Sequence, residues 1–230
     1  MANPLVARLL AQLRSSRQSG YDSVLGLLHI TDDPGLLGSA TYRGWVAGCR
    51  RRAADLGYRL DGFSLYRPRV SPQRLADILY TRSIEGLLVI GHPESNLLPG
   101  ELAPLWRRSS AIVVGLRPLR PAFTFAANDQ FATAVLAFNE ALRRGYRRPG
   151  LCIQESLDAR VERRFSGGFS AAQQELRTAD RVRPLRLADA AGDSGGRQRF
   201  MDWLGRQRPD AVLTLDERVR EWVGRAAIEV

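Results

Sequence analysis

The chain has 230 residues, 44% of them hydrophobic, which suffices for one large α/β domain or two smaller lobes. Its net charge is +10, and arginine supplies all of the positive charge. Such a composition is better explained by arginines distributed across a solvated surface than by a DNA-binding face. No signal peptide and no run of about 18 apolar residues is present, so we expect a cytoplasmic protein without a membrane span. Its two cysteines, Cys49 and Cys152, lie in apolar contexts that predict free thiols.

The N-terminal residues predict a helix followed by a polar linker. Pro4 suits the first turn of a helix, and Leu5, Leu9 and Leu13 share one face of it. The polar stretch that ends at Gly20 contains several serines and reads as a linker. We therefore treat residues 1–20 as an element separate from the rest of the chain.

Short apolar runs alternate with helical patterns from residue 21 to residue 127. The runs have the length and composition of buried parallel strands, and they are Ser23–Ile30, Tyr58–Leu65, Gly86–Ile90, Ala111–Gly115 and Phe123–Ala126. The segment Thr31–Gly38 is predicted as the loop after the first strand, and helices are predicted at 39–56, 71–81 and 100–108.

The second half of the chain follows the same pattern. A helix opens after Asp129, which has the position of an N-cap, and ends at Gly145. Strands are predicted at 149–154, 182–187 and 211–215, and helices at 160–177, 194–206 and 216–227. Strands that alternate with helices of this length predict βαβ units, so the fold class is α/β with parallel sheets in two lobes.

Candidate binding residues follow from this arrangement. Ligands of open α/β sheets bind outside the carboxyl ends of the strands, where Thr31 and Asp32 lie, although turn formation and helix capping explain these residues equally well. Asp129 is explained at this point as an acid at a helix N-terminus. Arg160, Arg163 and Arg164 oppose the dipole of the helix that they are predicted to open, so a polyhydroxylated or anionic ligand, or a facing Asp129, would account for them.

The sequence argues against an enzyme. His29 and His92 are the only histidines, and neither belongs to a cluster with metal-ligand spacing. Glycine-rich nucleotide-binding motifs and the serine-hydrolase motif are absent. We therefore predict no catalytic residue, no metal and no cofactor.

The stretch from Asn128 to Phe169 resembles the effector-sensing domain of LacI/GalR-type transcription regulators. An aspartate opens a helix, the helix ends at a glycine with a basic exit, a short strand follows, and arginines precede Gly168-Phe169. The segment Asp55–Gly91 resembles the helix end, strand, helix and strand found earlier in the same family. The resemblance implies two Rossmann-like lobes of the type I periplasmic-binding-protein class, at 21–145 and 146–230. The second lobe is expected to be incomplete, because the family continues for about two further strand–helix units.

The resemblance also implies roles for individual residues. Asp129 corresponds to an aspartate that lines the effector cleft, and Leu215-Asp216 corresponds to an Asn-Asp pair of the second lobe. The family's effector-binding arginine corresponds to Phe165, so its role passes to Arg164, one residue earlier, while Phe165 could stack on a sugar ring. Residues 1–20 resemble the hinge helix. There Asn3 matches the family pattern, and the residue at the position of Leu9 inserts into the DNA minor groove.

The resemblance therefore implies that the chain is the sensing domain of a dimeric, DNA-binding repressor. It also implies that a small molecule, expected to be a sugar, binds between the lobes. The resemblance implies that DNA contact requires a helix-turn-helix headpiece that this chain does not contain. Two alternatives stay open at this point. One is a solute-binding protein for transport, and the other is a regulator fragment without function.

Overall fold

The computed structural model describes residues 23–66, 70–91, 97–98, 100–117, 120–189 and 194–226. The chain divides into two compact units, Met1–Ala126 and Ala127–Val230, which we call unit 1 and unit 2. The predicted helix and linker at 1–20, with Asn3 and Leu9, lie outside the described residues. No helix within the described ranges is both long enough and apolar enough to cross a membrane.

A five-stranded sheet in the order β2-β1-β3-β4-β5 is the framework of unit 1. Its strands are β1 (Ser23–His29), β2 (Tyr58–Ser64), β3 (Gly86–Ile90), β4 (Ser110–Gly115) and β5 (Thr124–Ala127). The pairs of β1 with β2, β1 with β3 and β3 with β4 are parallel. The helices are α1 (Pro34–Gly38), α2 (Ala40–Asp55), α3 (Pro72–Thr81) and α4 (Ala103–Trp106), the last preceded by a 3₁₀ turn at Gly100–Leu102.

Unit 2 is built on a three-stranded parallel sheet in the order β7-β6-β8. The strands are β6 (Pro149–Gln154), β7 (Leu185–Leu187) and β8 (Ala211–Thr214). The helices are α5 (Gln130–Arg143), α6 (Glu155–Arg160), α7 (Arg164–Ala172), α8 (Gly196–Gln207) and α9 (Glu217–Ala226), with 3₁₀ turns at Gln173–Glu175 and Thr178–Asp180.

Several helices begin where a short polar side chain caps them. Oδ1 of Asp33 accepts the N–H of Gly35 at α1, and Oγ of Ser39 accepts the N–H of Tyr42 at α2. Ser71 caps α3 and Asp129 caps α5 in the same way, at 3.2 Å and 3.0 Å. Each cap satisfies a backbone donor that the helix itself cannot use, which is worth about 1 kcal/mol.

The sheet of unit 1 is covered on both faces. On one face α3 and α4 pack on the sheet, with Leu79 of α3 and Leu105 of α4 buried against Leu28 and Val89. On the other face α2 packs Tyr42 and Trp45 against Leu27 and Ile90. Adjacent residues of β1 thus enter different cores, as the two-residue period of a strand requires.

The sheet of unit 2 also separates two cores. Leu151 and Ile153 of β6 pack with Phe138 of α5 and Phe169 of α7, while Cys152 faces the other core. That second core contains side chains from α8 and α9, namely Phe200, Trp203 and Val219. Central strand β6 is buried on both sides, which explains its continuous apolar sequence.

The α/β class with parallel sheets is confirmed, but some predicted elements differ from the structure. The predicted helix 160–177 is wrong: α6 ends at Arg160 and α7 starts at Arg164. Glu162 and Arg163 between them have positive φ angles of 55° and 57°, which end a right-handed helix. The predicted loop Thr31–Gly38 contains the short helix α1, and β7 is shorter than the predicted strand 182–187.

The division between the units also differs from the expected one at 145/146. Helix α5, expected in the first lobe, belongs to unit 2 because it packs closely on α7. A Cβ atom at Gly168 of α7 would overlap the carbonyl oxygen of Phe131 and lie 3.1 Å from Cβ of Ala134. The absence of a side chain at Gly168 therefore allows the two helices to touch.

Candidate functional site

The carboxyl end of β1 in unit 1 carries the predicted residues Thr31 and Asp32. The Thr31 side chain is buried, and its Oγ1 accepts the N–H of Asp33 at 3.2 Å. Asp33 in turn caps α1, whereas the residue Asp32 is exposed. Thr31 therefore supports the loop, and Asp32 is the residue of this pair whose side chain lies in solvent.

A pair that sequence reasoning missed lies beside this loop. Nδ1 of His29 and the hydroxyl of Tyr42 share a hydrogen bond of 2.5 Å between β1 and α2. Burial lowers the pKa of His29, with a further contribution from the positive charge of Arg50, and burial raises the pKa of Tyr42 to about 12. Both groups are thus neutral near pH 7.

Unit 2 brings together two of the predicted site residues, Asp129 and Arg164. Nη2 of Arg164 lies 3.1 Å from Oδ1 of Asp129, so the ion pair joins the amino ends of α5 and α7. The cap from the N–H of Ala132 lowers the pKa of Asp129 most, and the hydrogen bond from Arg164 lowers it further. The arginine thus faces Asp129, one of the two explanations left open for its position.

Arg160 and Phe165 occupy different surroundings from that pair. Phe165 is half-buried and packs on the core formed by Phe138, Leu151 and Phe169. Arg160 is the last residue of α6 and is also half-buried. A role for either side chain in ligand binding stays a prediction, and for Phe165 the structure shows a packing function.

Three charged residues from separate elements form a cluster that we call the Glu155 triad. Oε1 of Glu155, the first residue of α6, lies 2.5 Å from Nη2 of Arg163, and its Oε2 lies 3.4 Å from Nε of Arg186 in β7. The hydrogen bond from Arg163 lowers the pKa of Glu155, so the carboxylate is ionised at neutral pH. Sequence reasoning missed the triad, since only the position of Glu155 directly after a strand marked it.

A second polar network surrounds Asp216, which follows β8. The Asp216 side chain is only 3% exposed and pairs with Arg218 at 2.5 Å, while Gln154 at the end of β6 donates to its Oδ2 at 3.2 Å. Burial acts to raise the pKa of Asp216, but the hydrogen bonds from Arg218 outweigh it and the net shift is downward. Leu215, where the resemblance has an asparagine, is exposed.

Two further side-chain contacts complete this edge of unit 2. The hydroxyl of Ser156 in α6 donates to Asp189, which follows β7. The fully buried Asp158 accepts the N–H of Ser166 at 3.2 Å and so caps α7 from the preceding helix. These polar groups all follow, or lie beside, the carboxyl ends of parallel strands, where open α/β sheets bind ligands.

This edge of unit 2 carries charged side chains from several elements. It offers arginine donors and carboxylate acceptors to a polar ligand. Within the described ranges, no three His, Cys, Asp or Glu side chains gather as a metal site would require.

Comparison with known proteins identifies the fold. No protein-family model and no curated protein sequence matches the chain. Among solved structures, a LacI-family regulatory protein from Chloroflexus aggregans has a TM-score of 0.62 at 19% identity, over 90% of this chain and 73% of that one. The chain has the fold of the LacI-family regulators.

Two of the similar structures were solved with sugars bound. The Cra transcriptional dual regulator from Pseudomonas putida, in complex with fructose 1-phosphate, has a TM-score of 0.54 at 21% identity, over 82% of this chain and 68% of that one. The transcriptional regulator CelR in complex with cellobiose has a TM-score of 0.58 at 16% identity, over 93% of this chain and 66% of that one. The fold expected from the LacI/GalR resemblance is thus confirmed.

Proposed function

We propose that the chain is the effector-sensing part of a LacI-type transcription regulator and that its effector is a small polar molecule, a sugar or sugar derivative. The observation that carries the proposal is the polar carboxyl edge of unit 2, on a fold shared with regulators whose structures contain fructose 1-phosphate or cellobiose. A regulator of this kind responds to its effector because the ligand binds one of two conformations more tightly. The difference between the two affinities sets how far the conformational equilibrium shifts.

The amino end of α5 belongs to the proposed site. Helix α5 leads into β6, so its amino end lies on the side of the sheet where the strands end. Asp129 and Arg164 meet there and are both half-exposed, so a ligand hydroxyl can bind the carboxylate, the guanidinium or both. Within unit 1, Asp32 is a separate candidate, as an exposed carboxylate at the carboxyl end of β1.

The partners of the chain follow from the proposed role. As the sensing part of a cytoplasmic repressor, it would form a homodimer and reach DNA through a helix-turn-helix headpiece. Asn3 and Leu9 would then belong to the hinge between headpiece and sensor. We expect no specific DNA binding by this chain alone, because base readout requires an element in the major groove. A footprint on a defined palindrome at about 150 mM salt would contradict this expectation.

Calorimetry with a panel of sugars and sugar phosphates tests the proposal. We expect one class of compound to bind, and we expect Arg164→Ala to weaken its binding more than Arg160→Ala, since Arg164 contacts Asp129 at the strand-end edge. The loss of a charged hydrogen bond costs roughly 1.5–3 kcal/mol. Arg144→Ala, at the opposite end of α5, is the matched control and should bind as the wild type does.

Two results would contradict the proposal. If no compound of the panel binds, the effector is not a sugar derivative. If a compound binds and Arg164→Ala leaves its affinity unchanged, the site lies elsewhere in the chain.

A further inference from the structure

The guanidinium groups of Arg163 and Arg186 lie against one carboxylate. Each occupies its own oxygen of Glu155, at 2.5 Å for Arg163 and 3.4 Å for Arg186. Two positive charges and one negative charge leave this triad with a net charge of +1. The side chains of the two arginines are 48% and 47% exposed, so part of each guanidinium faces solvent.

Arg186 has more N–H donors than its described neighbours accept from. Among the described residues it makes the 3.4 Å ion pair, and Oε2 of Glu155, which it faces, is buried without a hydrogen bond. A guanidinium carries five N–H donors, and a planar pair of them matches the oxygens of a phosphate or carboxylate. Arg186 is therefore held in place by charge while its donors stay available.

The position of the triad suits an anion. Glu155 directly follows the carboxyl end of β6, and Arg163 is the N-cap residue of α7, the positive end of that helix dipole. Two other carboxylates lie on neighbouring residues. Asp189 accepts the hydroxyl of Ser156, and Oδ1 of Asp158 accepts the N–H of Ser166, while Oδ2 of Asp158 has no hydrogen bond among the described residues and the charge of Asp158 contributes, after that of Glu155, to the raised pKa of Arg163. Glu155 is thus the carboxylate that holds both guanidinium groups.

We propose that the Glu155 triad is an anion clamp that binds the phosphate group of a phosphorylated small molecule, with Arg163 and Arg186 as donors and Glu155 as the residue that positions them. This inference rests on the proposed function, because it assigns the effector to sugar phosphates. A phosphate monoester carries up to two negative charges and three terminal oxygens, enough to accept from both guanidinium groups at once.

A second cluster in the same chain provides a matched control. Glu140 of α5 also lies between two arginines, at 2.7 Å from Arg143 and 2.8 Å from Arg144, so the Glu140 cluster has the same composition. It lies in the last turn of α5, where the helix dipole disfavours anions. Both of its arginines are bound to Glu140 by short hydrogen bonds. Composition alone would make both clusters bind phosphate, whereas the proposal assigns binding to the Glu155 triad.

The test uses calorimetry on the whole chain at low ionic strength, with inorganic phosphate, fructose 1-phosphate, fructose and acetate as probes. We expect Arg186→Gln and Arg163→Gln to weaken phosphate and fructose 1-phosphate binding roughly tenfold, the size of one lost charged hydrogen bond. Arg143→Gln should leave both affinities unchanged. Glu155→Gln should tighten phosphate binding, because the amide oxygen can still accept from the guanidinium groups and position them, while the negative charge that competes with the anion is removed.

The response to Glu155→Gln separates the clamp from a structural ion cluster. A cluster that only holds α6 against β7 would lose thermal stability in this variant without any gain in phosphate affinity. That result would overturn the proposal, as would equal phosphate binding by Arg186→Gln and wild type. Acetate that binds as tightly as phosphate would overturn the assignment to a phosphate group.

Failure of the clamp and failure of the proposed function give different results. If an uncharged sugar binds with the same affinity in wild type and Arg186→Gln, and phosphate does not bind, the sensing function holds and the clamp is wrong. If inorganic phosphate binds through Arg186 while no sugar or sugar phosphate binds better than phosphate alone, the clamp exists and the sugar-sensing function is wrong. If none of the probes binds, both are wrong.

Discussion

The two units satisfy the polar groups at the carboxyl ends of their strands in different ways. In unit 1 the polar groups of the loop after β1 are satisfied within a few residues of sequence, as Thr31 and Asp33 show, and only His29 bonds a side chain of another element, Tyr42 of α2, among the residues described at this edge. In unit 2 they are satisfied across the fold, since Gln154 bonds Asp216 and Glu155 pairs with Arg186. Local bonds fix a loop, whereas distant bonds tie helices and strands together. Substitutions at the edge of unit 2 should therefore disturb more of the structure than those at the edge of unit 1.

The largest expected effect is at the contact of α5 with α7, which supports the edge of unit 2. Gly168→Ala should lower the free energy of unfolding by about 2–3 kcal/mol, because its Cβ would overlap the carbonyl oxygen of Phe131. Gly167→Ala is the control, since the nearest atom to a Cβ there is 3.8 Å away in the ring of Phe131. Urea denaturation measures both, and equal stability of the two variants would show that the helices can separate without cost.

Asp216 tests the long-range network of unit 2 directly. Asp216→Asn should cost about 2 kcal/mol, because Arg218 and Gln154 lose a buried charged partner. The folded-state pKa of Asp216 is below its ordinary value of 3.8, so the unfolded chain binds its proton more tightly. The stabilisation is therefore present above about pH 4 and lost as the pH falls through the folded pKa.

Acid denaturation of wild type and Asp216→Asn checks that sign. The difference in stability between them should be constant near neutral pH and shrink below about pH 4. A difference that grows on acidification would mean that Asp216 is protonated in the folded chain.

A smaller effect is expected in unit 1, at His29 and Tyr42. Tyr42→Phe should cost about 1 kcal/mol, because the His29 ring loses its hydrogen-bond partner. Tyr146→Phe, at an exposed tyrosine, should have no effect. Because the pKa of His29 is lowered in the folded chain, its neutral form contributes stability above the ordinary pKa of 6.5, and that contribution is lost as the pH falls below it.

The titration of His29 is measurable by nuclear magnetic resonance. A single titration of its ring below pH 6.5 supports the lowered pKa, and a titration above that value would contradict the burial argument.

The smallest effect is expected at the exposed pair of Asp129 and Arg164. Asp129→Asn keeps an oxygen that can cap α5 and removes only the charge, so the melting temperature should change by no more than about 1 °C. Asp129→Ala also removes the cap and should lower the melting temperature further. If both variants melt alike, the cap contributes nothing, and if Asp129→Asn melts much earlier, the ion pair is stronger than an exposed pair should be.

Much of the fold was predictable because its signals are local. The strand at Gly86–Ile90 was predicted with its observed bounds, since a short apolar run between polar residues has few other structures available. The start of α3 at Pro72 and of α5 after Asp129 follow from caps within three residues. For the same reason, the sequence indicated the capping role of Asp129 better than the local role of any other candidate site residue.

The break between α6 and α7 was not predictable in this way. Its cause is the buried carboxylate of Asp158, which caps α7 from the preceding helix across eight residues and a turn with positive φ angles. Nothing in the spacing of the arginines from Arg160 to Arg164 reveals that turn. The predicted helix 160–177 therefore merged two elements, and Arg163, which ends that turn, was missed as a member of the Glu155 triad.

The sequence by itself determined which segments form strands and helices, and in what order, because hydrophobic period, helix caps and turn residues act over a few neighbouring positions. Only the tertiary structure decided that α5 belongs with unit 2, that Arg164 meets Asp129 and that Arg186 faces Glu155. The two residues of each of the last two pairs lie more than thirty positions apart in the sequence, and Asp129 and Arg164 are separated by 35 positions. Their pairing depends on which strands become neighbours, and that order results from packing the whole unit around one sheet.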